Sequence, residues 1–325
     1  MNRKERAANS ACSLPPCGGG LGRGVKASAG RVVYPPPCPS PTRGEGTQEP
    51  IASVLASQHI LAANRAIGRI TFAAHAVAGI TRRSRLREEG ALRLRCPGPP
   101  ASELEAVIIN TAGGIAGGDD FDIEIGVGAG ARLSVTTAAA EKIYRSLGAD
   151  ATIGIKLKLA AGAELAWLPR ETILFNASRV KRLIDVNLAL DARLIFSEAI
   201  VFGRSGMGEA VEHGRLFDRW RIRRGGRLVH AEALQLDGAI AKRLAQPAVG
   251  KGAVAMGTLL LVPGNDEIAR RVRALPGLSS EVGVSAWNGF AIVRLCAADG
   301  AMLRNDLLAI VATVREAPPP RLWLQ

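Results

Sequence analysis

The sequence predicts a mainly β protein. Three observations carry that prediction. Apolar and polar residues alternate in short segments from about residue 65 to 235. Gly-, Asp- or Asn-containing turns separate those segments. Helical periodicity shows in only a few places.

The strands come first. Phe121, Ile123, Ile125 and Val127 alternate with Asp122, Glu124 and Gly126. Ile153, Ile155, Leu157 and Leu159 alternate with Gly154, Lys156 and Lys158, and Ile184, Val186, Leu188 and Leu190 alternate with Asp185, Asn187 and Ala189. Strand side chains point to opposite faces in turn, so each segment has one buried and one wet face. Turn signals lie at Gly128-Ala129-Gly130, Ala161-Gly162-Ala163, Gly203 to Gly206 and Gly225-Gly226. Many short strands at this spacing fit a sandwich, a barrel or a solenoid. No repeat of fixed period is visible.

Helices are fewer. Asp266 to Leu275 reads as a short helix, with Asn265 or Asp266 as its N-cap and Pro276-Gly277 as its stop. Met302 to Val314 suits an amphipathic helix. Ala138 to Leu147 reads as a short helix after a strand ending at Thr136-Thr137. The sum is one β domain over residues 51–325 with α elements appended.

Residues 1–50 are a different material. They hold 8 of the 18 Pro, 8 of the 37 Gly and 3 of the 5 Cys. Such a segment buries too little apolar surface to offset chain entropy, so a disordered arm is expected. Cys12, Cys17 and Cys38 lack a C-x-x-C pair or a neighbouring histidine and read as scattered thiols. The arm reads like translated upstream DNA, with a working start near Val54 or Leu55.

Of 325 residues, 42 are Lys or Arg and 29 Asp or Glu, a formal net charge of +13. That balance suggests nucleic acid, an acidic membrane surface or an acidic protein partner. The apolar run Ala253 to Pro263 falls short of the roughly 20 residues a membrane span needs. No basic start followed by an apolar stretch marks a secretory signal.

The segment Asn110 to Asp120, with Gly113-Gly114 and Gly117-Gly118, is the most distinctive local sequence. A phosphate loop needs a Lys-Ser/Thr end and a following helix. Here Asp119-Asp120 and a strand follow, so a tight turn is the better reading. His59, His75, His213 and His230 lack metal-ligand spacing. A weak carboxylate site near Asp119, Asp120, Glu141, Glu171 or Glu198 stays open. Ser205 lacks the nucleophile-elbow pattern. Two basic runs stand out: Arg82, Arg83, Arg85, Arg87, Arg93 and Arg95, and Arg219, Arg221, Arg223, Arg224 and Arg227. Trp220 is the only aromatic among the second set and alternates like a core residue, so a solvated face or protein interface is favoured over nucleic acid.

Four ordered blocks resemble the urease accessory protein UreD (UreH) family. They are Asn110 to Asp119, Thr136 to Ser146, Trp167 to Phe175, and Glu198 with Phe202 to Glu209. Weaker similarity extends the match to roughly residues 68–323. Arg170 stands where family members often carry Gln, and Ser205 where Ala is common. The resemblance implies stacked sheets in a β-helical, solenoid-like arrangement with a few short α-helices. It also implies a cytoplasmic, non-enzymatic chaperone. With the helical protein UreF and the GTPase UreG, such a protein binds apo-urease and supports nickel insertion. No tightly bound cofactor is implied, only transient Ni²⁺, and neither nucleic acid nor membrane is expected as a partner.

On that resemblance Asp119, Glu141, Glu171, Glu198 and Glu209 are candidates to line a nickel passage. The competing expectation is that they form structural ion pairs with Arg145, Arg170 and Arg204. Arg145, Arg204, Arg219, Arg221, Arg223 and Arg224 are candidate partner contacts. Two other classes remain: a two-carboxylate carbohydrate-active enzyme on a β-helical fold, and a basic nucleic-acid-binding protein. Aromatic residues at 4% speak against sugar stacking.

Overall fold

The computed structural model describes residues 65–324. The expectations for the N-terminal arm, its three thiols and the alternative start fall outside the described residues. The strands are β1 Ile67–Val77, β2 Ile80–Gly90, β3 Leu92–Arg95, β4 Glu103–Asn110, β5 Asp120–Val127, β6 Arg132–Thr137, β7 Glu141–Ile143, β8 Ala151–Leu159 and β9 Glu164–Trp167. They continue as β10 Thr172–Leu174, β11 Arg179–Leu188, β12 Arg193–Phe202, β13 His213–Arg224, β14 Arg227–Ala239, β15 Ala255–Val262, β16 Glu281–Trp287 and β17 Phe290–Ala297. The helices are α1 Ile240–Leu244, α2 Asp266–Arg273 and α3 Gly300–Val314.

Two sheets face each other. The first runs β14-β13-β11-β8-β5-β1-β2, and the second β16-β17-β15-β12-β9-β6-β4-β3. Strands β5, β8, β11 and β13 are mutually parallel in the first sheet, as are β4, β6, β9 and β12 in the second. The chain therefore climbs as a β-solenoid of about 4 turns, each giving one strand to each sheet. Antiparallel partners close the stack: β1 with β2 at one end, and β13 with β14 at the other. The turn between β13 and β14 is Gly225-Gly226, both at positive φ, as a two-residue hairpin requires.

The alternating strands behave as their pattern demands. β5 alternates between half-buried and buried residues along its whole length. Its inward residues stack in register with those of its neighbours, for example Ile123 beside Ile155 and Ile155 beside Ile184. Central strands of the second sheet are covered on both sides, and β12 is buried from Phe196 to Phe202. Its inner face joins the core between the sheets, where Trp167 stacks on Phe196 and Phe196 meets Trp220 edge-on. Its outer face packs against α2, α3 and Trp323. Gly257 permits that approach, because a Cβ there would sit 2.9 Å from Leu303.

Both C-terminal helices form where their signals lie. The side chain of Asn265 accepts from the Ile268 N–H at the start of α2, and Asp299 caps α3 through the Met302 N–H. The expected helix over Ala138 to Leu147 does not form. Glu141–Ile143 is instead a three-residue strand parallel to β10. Stacking on the neighbouring turns overrides the helix propensity of Ala138 to Ala140 before it.

Candidate functional site

A third, narrow ladder runs along one corner of the solenoid. Ile115 bridges Ile143, β7 pairs with β10, and β10 pairs with the end of β12. The four distinctive sequence blocks meet here, one from each turn. The backbone of each turn bonds to the next: Tyr144 N–H to Ile115 O at 2.8 Å, Phe175 N–H to Ile143 O at 3.0 Å, and Gly203 N–H to Leu174 O at 2.8 Å.

Side chains stack on the outside of this ladder. The Tyr144 hydroxyl donates to Gly113 O at 2.8 Å, and its ring meets Phe175 edge-on at 5.2 Å. The Arg204 guanidinium lies over the Phe175 ring at 4.2 Å and donates to Glu209 at 2.5 Å. Gly114 has to be glycine, since a Cβ there would lie 2.3 Å from the Tyr144 ring. Asp119 fastens the first block by accepting from Ala66 N–H at 2.9 Å and Ala116 N–H at 2.7 Å.

Of the five candidate passage carboxylates, the fold brings Glu141 and Glu198 to one cavity and sends the others elsewhere. Glu171 binds Arg304 of α3 and lies 3.7 Å from Arg170. Glu209 pairs with Arg204 on the outer corner, and Asp119 closes its own turn. Arg145 is exposed and forms an isolated bridge with Ser178. Arg170 donates to Leu322 O of the C-terminal segment.

The cavity, of about 70 Å³, lies between the sheets behind the corner ladder. Ile108, Ile123, Ile155 and Trp167 line it together with Glu141, Arg182 and Glu198. The Glu141 carboxylate accepts from Asn110 Nδ2 at 3.0 Å. Burial pushes its pKa up to about 7, against the lowering effects of Asn110 and Lys142.

Deeper in, Arg182 holds a buried triad. Its Nη1 donates to Glu198 at 2.5 Å, and its Nε and Nη2 donate to Asp218 at 3.2 and 2.6 Å. Trp167 Nε1 also donates to Glu198, at 3.1 Å. Burial alone would push the arginine toward neutrality, but Asp218 and Glu198 hold it firmly protonated. Burial raises the Glu198 pKa, against the pull of Arg182. One cation between two carboxylates leaves a net charge of −1 if both are ionised. Glu198 also borders a second cavity of about 210 Å³, with Asp218, Glu232, Thr258 and Arg294 around it. Glu198 therefore borders both cavities.

Arg182 and Asp218 escaped the sequence reading, although a signal for them exists. They occupy inward positions of their strands, in the in-register row Phe121, Ile153, Arg182, Asp218. A charge where alternation calls for an apolar side chain marks a buried polar site. Glu232 and Arg294, 2.8 Å apart, form a second pair beside the larger cavity.

The candidate partner arginines split between two places. Arg145 and Arg204 are near the corner ladder. Arg219, Arg221 and Arg223 project from the outer face of the first sheet, alternating with inward Trp220 and Ile222. Arg224 turns back to donate to Leu190 O at 2.9 Å. Among the described residues, no group of three or more His, Cys, Asp and Glu side chains gathers as a metal site. No described helix is long and apolar enough to cross a membrane.

Comparison with known proteins gives a consistent result. Residues 65–324 match the family model described as UreD urease accessory protein. A urease accessory protein UreD of Rhodopseudomonas palustris (strain BisB18) is 55% identical over 266 residues, covering 82% of this chain and 96% of the relative. Another strain of that species, BisB5, gives 53% identity over 273 residues, covering 84% and 96%. The UreD of Bradyrhizobium diazoefficiens is 52% identical over 266 residues, covering 82% and 96%.

Proposed function

This chain belongs to the UreD family of urease accessory proteins, and on that premise we propose that it is a nickel-insertion scaffold working with UreF and UreG on apo-urease. Its place in urease maturation follows from the family. On this reading nickel insertion is GTP-dependent through UreG, and the chain acts in the cytoplasm as a scaffold without catalysing a step itself. The family match covers residues 65–324.

The observation that carries the reading is the pair of cavities that both border Glu198, with Glu141 lining the smaller one. Ni²⁺ in transit needs oxygen ligands that hold it weakly, and carboxylates provide that where a His/Cys cage would trap it. A passing cation also offsets the −1 that the Arg182 triad carries when both of its carboxylates are ionised. On this reading Glu141 and Glu198 face the cargo, while Asp119, Glu171 and Glu209 hold the corner that frames it.

The test is to replace Glu141 and Glu198 by Gln, singly, in cells expressing urease. Complex assembly is scored by co-purification and nickel content by elemental analysis of the urease. Intact assembly with nickel content reduced at least fivefold supports the passage. Loss of assembly together with nickel assigns both residues to structure instead.

A further inference from the structure

The two arginine runs, far apart in sequence, come to opposite margins of one sheet face. β2 lies at one edge of the first sheet, and β13 lies one strand from the other. Arg82, Arg85 and Arg87 pair with His75, Ala73 and Thr71 of β1, and all three are exposed. Arg219, Arg221 and Arg223 project from β13 on the same outer face. Five strand spacings separate the margins, about 24 Å.

Between them lies an open trough of about 710 Å³. Its floor is small and largely uncharged, with Ala73, Gly126 and Asn187, and Lys158 rises beside them. Carboxylates on this face are already engaged: Asp122 with Lys156, Glu124 with Lys158, and Asp185 with Arg219 and Arg223. Among the described residues, Arg82, Arg85 and Arg221 on this face have no carboxylate within 4.0 Å. The second sheet wears α2 and α3 on its outer face, whereas no described helix covers this one.

We propose that this trough docks an acidic, extended segment of a protein partner. It rests on the scaffold reading for its setting, but not on any passage of nickel. The unpaired arginines supply the charge complement, and the small floor admits a backbone and short apolar side chains. A nucleic acid fits less well. Its charges are continuous, at about one per 1.7 Å along a duplex, and would run over Glu124 and Asp185. No Phe, Tyr or Trp lines the trough for base stacking.

The test uses the purified full chain and a fluorescein-labelled ten-residue peptide of alternating Glu and Val, read by anisotropy. Arg82→Glu with Arg85→Glu should weaken binding at least tenfold. Gly126→Leu, which fills the floor without changing charge, should weaken it at least threefold. Lys242→Glu with Arg243→Glu, on α1 at the opposite end of β13, should change it less than twofold. Circular dichroism confirms that each variant folds. Equal losses from both charge reversals, or no loss with Gly126→Leu, would overturn the proposal. So would a labelled DNA 20-mer that binds more tightly than the peptide and is lost in the same variants. Urease activation by the wild-type chain is scored in parallel. Activation without peptide binding sinks the trough alone. Peptide binding without activation leaves the trough standing and sinks the scaffold reading.

Discussion

Arg182 and Glu198 meet at 2.5 Å deep between the two sheets, and Asp218 takes the other side of the same guanidinium. All three side chains sit at inward strand positions: neighbouring turns place Phe121 and Ile153 in the row of Arg182 and Asp218, and Phe196 precedes Glu198 by two residues on the same strand. The charges satisfy one another, so removing the cation differs from removing the group as a whole.

Arg182→Met should therefore destabilise the fold by about 3–5 kcal/mol, because it strands two buried carboxylates. The triple change Arg182→Met, Glu198→Leu, Asp218→Leu should recover most of that loss. Urea unfolding followed by tryptophan fluorescence measures both. A single variant as stable as wild type would refute the buried pairing.

Glu141 should make stability depend on pH. In the folded protein its carboxyl keeps its proton up to about pH 7, while in the unfolded chain it releases it near 4.5. Between those values the folded state holds a proton the unfolded state has lost, so stability falls as pH rises through that window. The loss is up to about 3 kcal/mol. Glu141→Gln should flatten the profile and be the more stable protein at pH 8. Parallel urea titrations at pH 4.5, 6 and 8 check this, and identical slopes for both proteins would contradict it.

Gly114→Ala should cost about 1–3 kcal/mol, since the new methyl group runs into Tyr144 and the backbone is at positive φ. Adding Tyr144→Ala should relieve the steric part and leave the backbone part. A double-mutant cycle on melting temperature separates the two, and strict additivity would exclude the contact.

Trp323→Ala should lower stability by about 3 kcal/mol. The indole is buried beside α3 and donates to Leu168 O at 2.9 Å. Its loss should also loosen Arg170, which holds Leu322 O. Protease sensitivity around residues 168–171 reports that second effect, and unchanged cleavage there would sever the link.

The sequence makes the first sheet plain and the second obscure, for one reason. Strands such as β5 and β8 have a wet face, so Asp122, Glu124, Lys156 and Lys158 punctuate them. β12 and β15 are covered on both sides and present apolar runs without rhythm. The corner strand β7 is only three residues long, too short for any period, and the alanines just before it, Ala138 to Ala140, point to helix. Glu141 and Glu198 stand out in the sequence as carboxylates in the distinctive blocks, but their sharing a cavity is not legible there. Asp119, Glu171 and Glu209 look alike as letters, and only the packing separates a turn fastener, a helix anchor and an outer ion pair. Arg182 and Asp218 were visible as breaks in alternation. The arginine runs gained meaning only when the sheet order placed them on opposite margins of one face.

The antiparallel strands at the two ends carry one more consequence. A parallel coil is a template: each turn shows the next a row of unused amides and carbonyls in the right register. Left open, such a stack invites a second molecule to continue it, and then a third. β2 and β14 reverse direction there, and β2 adds a row of positive charge. The reversals thus end the parallel template at both ends of the first sheet, so the register a fibre would propagate is not offered there.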